Sequence, residues 1–280
     1  MKKRFGVIGF PLKHTMSPFI HNRMFALNNI QGEYEAILTP PEKLKDTVAA
    51  LKEYDGFNIT IPHKESMLEL VDELSESALT YGAVNTALKK AGRLIGYSTD
   101  AEGFVSALEL ENIPLSGRVL ILGCGGVSRT IATECLLRGC DVTLAARKQS
   151  MHKAFALRDY LKNKFSKKTT CIAIEDICEN YDLAVNGTPV GMYPNVGESV
   201  LSEAQLKNVK YLFDSVYNPE NTAIVTLARC LGVKAISGMG MLVMQAAKAQ
   251  EHWLGVTFKN EDMKQLIADS NDEMRRIFGE

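Results

Sequence analysis

Arg118-Val119-Leu120-Ile121-Leu122-Gly123-Cys124-Gly125-Gly126-Val127 sets the fold class of this chain. Residues 118–122 form a continuous apolar run, as in a strand of a parallel sheet covered on both faces. Gly123 permits a tight turn, and Gly125 lets a diphosphate approach the backbone. Gly126 and Val127 open a helix whose N-terminal amides attract anions. The third glycine of the usual dinucleotide fingerprint is absent, because position 128 is Ser. A plain tight turn without a ligand is the competing reading. The pattern continues as a helix over 127–137, a strand over 141–145 and a helix over 149–165, a complete βαβα unit. Further strands are expected at 170–174, 183–186 and 211–214.

The end of the second strand bears on the cofactor. NAD sites usually place an acid there to bind the ribose 2′-hydroxyl. This chain has Ala145-Ala146-Arg147-Lys148, two cations and no acid. Arg147 and Lys148 suit a 2′-phosphate, so NADP is expected over NAD, with Arg129 able to add to the phosphate site. Solvated surface cations are the alternative.

The first third also reads as α/β. Strands are expected at 4–9, 34–38 and 56–59, and helices at 17–28 and 40–53. Ser17 would be the N-cap of the first helix and Pro18 its first residue. Residues 84–88 and 94–97 flank a hairpin turn, and 99–110 is a helix. Three polar runs follow apolar strands: Asn58-Ile59-Thr60-Ile61-Pro62-His63-Lys64, Gly82-Ala83-Val84-Asn85-Thr86 and Ser98-Thr99-Asp100. If Lys64 and Asp100 meet in space, they form a proton-transfer pair beside a polar site of polyol size. A plain salt bridge is the bland alternative. Thr15 and Ser17 put hydroxyls at a helix N-terminus, a natural carboxylate pocket. With the glycine turn, these features suggest a nicotinamide-dependent oxidoreductase acting on a small hydroxylated substrate.

The 280 residues carry a net charge of −1, with 46% hydrophobic and 23% charged residues. No basic field is available for nucleic acid or an anionic membrane. The basic start, Met1 to Arg4, is followed by too short an apolar run for a signal peptide, and no membrane span is expected. The six cysteines form no C-x-x-C pair and read as buried, reduced thiols of a cytosolic protein. His14, His21 and His63 fit no standard metal-ligand spacing, so no metal is expected. The final segment, 238–280, reads as two helices. Its methionines, Met241 and Met244 among them, are expected to be core filler.

Taken in order, the motifs resemble those of the shikimate dehydrogenase family along nearly the whole chain. They are Thr15-Met16-Ser17-Pro18-Phe19-Ile20-His21-Asn22, the three polar runs above, Asn186-Gly187-Thr188-Pro189-Val190-Gly191-Met192, Asp214-Ser215-Val216-Tyr217-Asn218-Pro219 and Gly238-Met239-Gly240-Met241-Leu242-Val243-Met244-Gln245. The resemblance implies a substrate domain over 1–100 and 238–280, a Rossmann-type doubly wound NADP domain over 101–237, and an active site in the cleft between them. It implies that Thr15 and Ser17 bind the substrate carboxylate. Asn58, Thr60, Asn85, Asp100, Tyr217 and Gln245 would hold the ring and its hydroxyls, and Lys64 would be the acid/base residue with Asp100 its partner. Gly123, Gly125, Gly126, Val127, Arg147, Lys148, Thr188, Ser215 and Gly238 would bind the cofactor. The implied reaction is reduction of 3-dehydroshikimate with NADPH in the cytoplasm, with a small-molecule partner and a homodimer admitted.

Three positions depart from the family pattern. Thr15 stands where a serine is usual, which adds a methyl to the carboxylate pocket and can shift preference toward quinate. Ser98 stands for an asparagine and can loosen the turn that carries Asp100. Ala146 and Lys148 replace the usual flanks of Arg147. The alternatives are a quinate/shikimate dehydrogenase of relaxed specificity and a metabolite or dinucleotide sensor without catalysis. A one-carbon folate dehydrogenase lacks the carboxylate-pocket motif.

Overall fold

The computed structural model describes residues 2–12 and 15–278, so His14 lies outside the described residues. Two compact units divide the chain: Met1–Gly103 with Val243–Asp272, and Phe104–Leu242 with Glu273–Glu280. Each contains one six-stranded sheet.

The first unit runs β1 (Lys3–Gly9), α1 (Ser17–Leu27), β2 (Gly32–Leu38), α2 (Leu44–Ala50), β3 (Gly56–Ile59), β4 (Glu73–Leu74), α3 (Glu76–Tyr81), β5 (Thr86–Lys90) and β6 (Arg93–Tyr97). The sheet order is β2-β1-β3-β5-β6-β4. β1 lies parallel to both β2 and β3, and β5 runs antiparallel to β3 and β6. Alternation along β1 turns Phe5 and Val7 toward Phe25 and Trp253, and Ile8 toward Leu44, Val48 and Phe57 on the other face. The β5–β6 turn uses Ala91 and Gly92, both at positive φ, as a tight hairpin requires.

Local expectations need three corrections here. α1 begins at Ser17 itself with Met16 in the cap position and no side-chain cap. Ser17 is therefore not the N-cap; its N–H donates to Thr15 Oγ1 instead. The helix expected over 40–53 is α2 flanked by 3₁₀ turns at Pro41–Lys43 and Leu51–Glu53. Leu44, Val48 and Leu51 still face one core, because the tighter turns keep the same side inward. The hairpin strand expected from residue 84 starts at Thr86, since Val84 N–H is bonded to Lys64 O.

The remaining elements are α4 (Asp100–Leu110), β7 (Arg118–Leu122), α5 (Gly126–Leu137), β8 (Asp141–Ala146), α6 (Met151–Phe165), β9 (Thr170–Ala173), β10 (Tyr181–Asn186), α7 (Glu203–Leu206), β11 (Val209–Asp214), α8 (Ala223–Cys230), β12 (Lys234–Ile236), α9 (Met239–Leu254) and α10 (Asn260–Phe278). The second sheet is parallel throughout, in the order β12-β11-β10-β7-β8-β9. Val119 and Ile121 enter one core with Leu144 and Val185. Leu120 and Leu122 enter the opposite core with Ala184 and Leu212. That two-sided burial is why β7 reads as an unbroken apolar run. All six cysteines are free, but only Cys135 and Cys140 are buried, while Cys178 and Cys230 are exposed. The expectation of buried thiols is corrected to that extent; Cys178 lies outside the regular elements and Cys230 ends α8.

Two strand ends in the second sheet are tied by a buried polar network. Asp214, at the end of β11, accepts from Asn186 Nδ2 at 2.9 Å, Val216 N at 3.0 Å and Thr222 Oγ1 at 2.6 Å. Asn186, at the end of β10, accepts from Thr188 N at 3.0 Å. The loops carrying Thr188 and Ser215 are anchored in this way. Burial pushes Asp214 from 3.8 up to about 6, against its hydrogen bonds, which favour ionisation. A carboxyl raised in this sense stabilises the fold fully below its unfolded pKa, and that contribution is lost as pH climbs through its folded pKa. Asp214→Asn cannot titrate. Its deficit relative to the parent protein should therefore be larger at pH 4.5 than at pH 7, by roughly 2 kcal/mol. Urea unfolding of both proteins at the two pH values measures this, and equal deficits would reject the assignment.

Candidate active site

Lys64 sits on a turn held at both ends. Thr60 N–H bonds Ile8 O at 2.9 Å, His63 N–H bonds Thr60 O at 3.0 Å, and Lys64 O accepts from Val84 N at 2.8 Å. Buried His63 sets its Nε2 against Thr39 O at 2.7 Å. The Lys64 ammonium lies 2.6 Å from Asp100 Oδ2. The side chains are 27% and 13% exposed, so a ligand can reach the pair while most of its surface is shielded. Asp100 begins α4, where a helix favours negative charge. Its other oxygen accepts from Asn85 Nδ2 at 2.8 Å.

Asn85 also donates to Thr99 Oγ1 at 3.0 Å and accepts from Thr99 N at 2.8 Å. Thr99 Oγ1 reaches the main-chain carbonyl of Gln245, 3.0 Å away. The network extends through Asn58, whose Nδ2 donates to Thr86 Oγ1 at 2.9 Å and whose Oδ1 accepts from Tyr34 OH at 2.7 Å. Thr15 and Ser17 pair their hydroxyls at 3.2 Å. Thr60 is half-buried, and its methyl occupies the space over Gly9 that a Cβ would need. Hydrogen bonds thus join Lys64, Asp100, Asn85 and Asn58 directly or through one residue. Tyr34, Thr86 and Thr99 complete the network and were not singled out from the sequence. The two threonines lie inside quoted motifs, but Tyr34 carries no local signal.

Ser98 is fully buried, and its N–H bonds Ser77 Oγ at 3.0 Å. Among the described residues its hydroxyl has no partner. The turn that carries Asp100 is nevertheless pinned at Ser98 by Ser77 and on either side, at Tyr97 and Thr99, by Asn85. Of the histidines, His21 and His63 are buried singly, and among the described residues no group of three or more metal-ligating side chains occurs.

In the second unit Gly123 has φ +91°, and a Cβ there would meet Thr188 Cγ2 at 2.7 Å. Gly125 caps α5, Gly126 opens it, and nothing lies within 4 Å of where their Cβ atoms would be. A diphosphate therefore has room against the backbone amides, and the turn fits a dinucleotide. Val127 follows, half-buried. Ser128, in place of a third glycine, is accommodated by Gly187, where a Cβ would collide with its hydroxyl. Cys124 is pushed up to about 11 chiefly by burial, so no thiolate forms in the turn at neutral pH. Arg147 follows β8 and is exposed. Lys148 is exposed and lies 3.7 Å from Asp176, a pair too solvated to hold it firmly. Arg129 stacks over the Tyr160 ring at 5.6 Å. Ser215 N–H bonds Asn186 O at 2.9 Å, and its carbonyl leaves no space for a Cβ at Gly238. Burial raises the pKa of Tyr217 above its ordinary value.

Residues 7–87 match the family model described as the shikimate dehydrogenase substrate binding domain. A shikimate dehydrogenase (NADP(+)) of Caldanaerobacter subterraneus subsp. tengcongensis is 38% identical over 270 residues, spanning 95% of this chain and 96% of that protein. A crystal structure of a shikimate dehydrogenase in complex with NADP+ superposes with TM-score 0.88 at 35% identity, over 96% of this chain and 95% of the other. The shikimate 5-dehydrogenase of Thermus thermophilus, solved with NADP(H) and shikimate, gives TM-score 0.86 at 32% identity, over 96% and 99%. Such identity across almost the full length of both chains extends well past the matched substrate-binding segment, and the chain belongs to the shikimate dehydrogenase family.

Proposed function

We propose that this protein catalyses the reversible, NADP-dependent reduction of 3-dehydroshikimate to shikimate, an oxidoreductase step in aromatic amino acid and chorismate biosynthesis. The observation that carries this reading is the 2.6 Å contact between Lys64 and Asp100, largely shielded from solvent but still reachable. NADPH, when bound, supplies the hydride. The chain's own task is the proton. An ammonium has three N–H donors, and Asp100 engages one of them, which leaves Lys64 free to protonate the carbonyl oxygen as it becomes an alcohol. In the reverse direction Lys64 takes that proton back. Thr15 and Ser17 bind the substrate carboxylate. Thr60, Asn85, Tyr217 and Gln245 orient the ring hydroxyls. The turn from Gly123 to Val127 holds the diphosphate. Arg147 and Lys148 hold the 2′-phosphate, and Thr188, Ser215 and Gly238 lie along the rest of the cofactor. A cytosolic location accompanies this reading, supported by six free cysteines. No described helix is long and apolar enough to cross a membrane.

Three measurements test the proposal. Nicotinamide absorbance is followed with shikimate and with quinate, each with NADP and with NAD. Fast reduction of NADP by shikimate alone is expected. Turnover of quinate would point to the Thr15 methyl and the relaxed branch, and no turnover by folded protein would leave a sensor. Lys64→Ala should lower kcat by roughly 10²-fold or more with NADP binding intact, and a near-normal kcat would remove Lys64 from the chemistry. Arg147→Ala should weaken NADP far more than NAD, whereas equal losses would reject the 2′-phosphate contact.

A further inference from the structure

The net charge of −1 averages over an uneven distribution. Residues 147–168 hold eight Lys and Arg against one acid, Asp159, a net of +7. The expectation of no basic field holds for the chain as a whole and fails along α6. Seven of the eight cations are exposed, and Arg158 is half-buried. Lys148 meets Asp176 at 3.7 Å and Arg158 meets Asp159 at 2.9 Å. Among the described residues, Lys153, Lys162, Lys167 and Lys168 enter no ion pair.

Helix stability does not explain this strip. Cations favour the last turn of a helix and oppose the first. α6 places Lys153 in its first turn, with no acid there. Arg158 and Lys162 are four positions apart, a spacing at which like charges repel. The strip does have a chemical neighbour at one end. It starts at Arg147 and Lys148, directly after β8. Lys153 lies close enough to Cys124, in the glycine turn, to lower that thiol's pKa against its burial. Lys164 donates to Tyr160 OH at 3.1 Å, and Arg129 from α5 lies over the same ring. α6 has 15 residues and is therefore about 22 Å long. Lys162, Lys167 and Lys168 are at its far end, too distant from Arg147 to touch a phosphate held there.

We propose that the cations of α6 form a collecting field for NADP, in which Lys162, Lys167 and Lys168 speed capture of the phosphate-rich cofactor without touching it once bound. A field of one sign beside a site raises the rate of encounter with an oppositely charged ligand, and salt screens it. Distant charges act on kon and on its salt dependence, whereas koff is set by the contacts at the site. NAD lacks the 2′-phosphate and is drawn less strongly. The inference rests on the NADP reading and deepens it.

Lys162→Glu, Lys167→Glu and Lys168→Glu are combined in one variant, and a second variant carries Gln at the same three positions. NADPH binding to both and to the parent protein is followed by stopped-flow NADPH fluorescence. The salt is set at about 0.01 M, where the screening length is about 30 Å, and at about 1 M, where it is about 3 Å. At low salt kon is expected to fall about ten-fold in the Glu variant and about three-fold in the Gln variant, with koff within about two-fold of the parent. At high salt the three proteins converge. A parental kon at low salt in both variants would overturn the proposal, and so would a raised koff, the mark of direct contact. Lost affinity for a double-stranded DNA oligonucleotide with kon for NADPH unchanged would make the strip a nucleic-acid surface and overturn it too. The Gln variant is read by the same criteria if the Glu form does not fold. A folded parent that binds no NADPH would strike the NADP reading itself, a result distinct from a binding parent whose variants match it.

Discussion

Asn85 uses every polar atom it has inside the first unit. Its N–H bonds Tyr97 O at the end of β6, and its carbonyl accepts from Ile59 at the end of β3. Its side chain takes Thr99 and Asp100 at the start of α4. A buried amide left without partners costs on the order of 1–3 kcal/mol per group, so the three chain segments cannot drift apart independently. The geometry of Lys64 and Asp100 follows from that constraint. Their attraction closes the contact, but the asparagine decides where the carboxylate is.

The second unit uses the same device in a different electrostatic setting. Asn186 bridges to Asp214 across neighbouring strand ends, as Asn85 bridges to Asp100. Asp100 faces an ammonium and remains partly open to solvent. Asp214 is fully buried and answered only by neutral donors. Desolvation then dominates and lifts its pKa to about 6. One carboxylate is thus left partly open beside a cation, and the other holds two loops in place.

Much of the fold was legible because its signals are local. β7 and β3 match their expected limits, since an apolar run bounded by glycine and polar residues marks a buried strand. The glycine turn was readable for the same reason, with a strand before it and a helix after it. α3, α8 and β12 leave no clear mark in the sequence because they are six, eight and three residues long, too short for periodicity to stand out. Ser17 has the residue type of a cap but lies inside α1, with Met16 in the cap position and Thr15 supplying the acceptor for Ser17's own N–H.

By itself the sequence determined the α/β class, the glycine turn after β7, the cation pair after β8 and the residue types that meet around Lys64 and Asp100. Each depends on neighbours a few positions away, and short-range sterics and hydrogen bonding govern those. Only the tertiary structure decided which groups share hydrogen bonds. Lys64 and Asp100 are 36 positions apart, Tyr34 and Asn58 are 24, and Gln250 and His21 are 229. It also decided which polar atoms are already saturated. That depends on burial and on partners brought in from distant strands, because a buried donor must find an acceptor wherever the packed chain provides one.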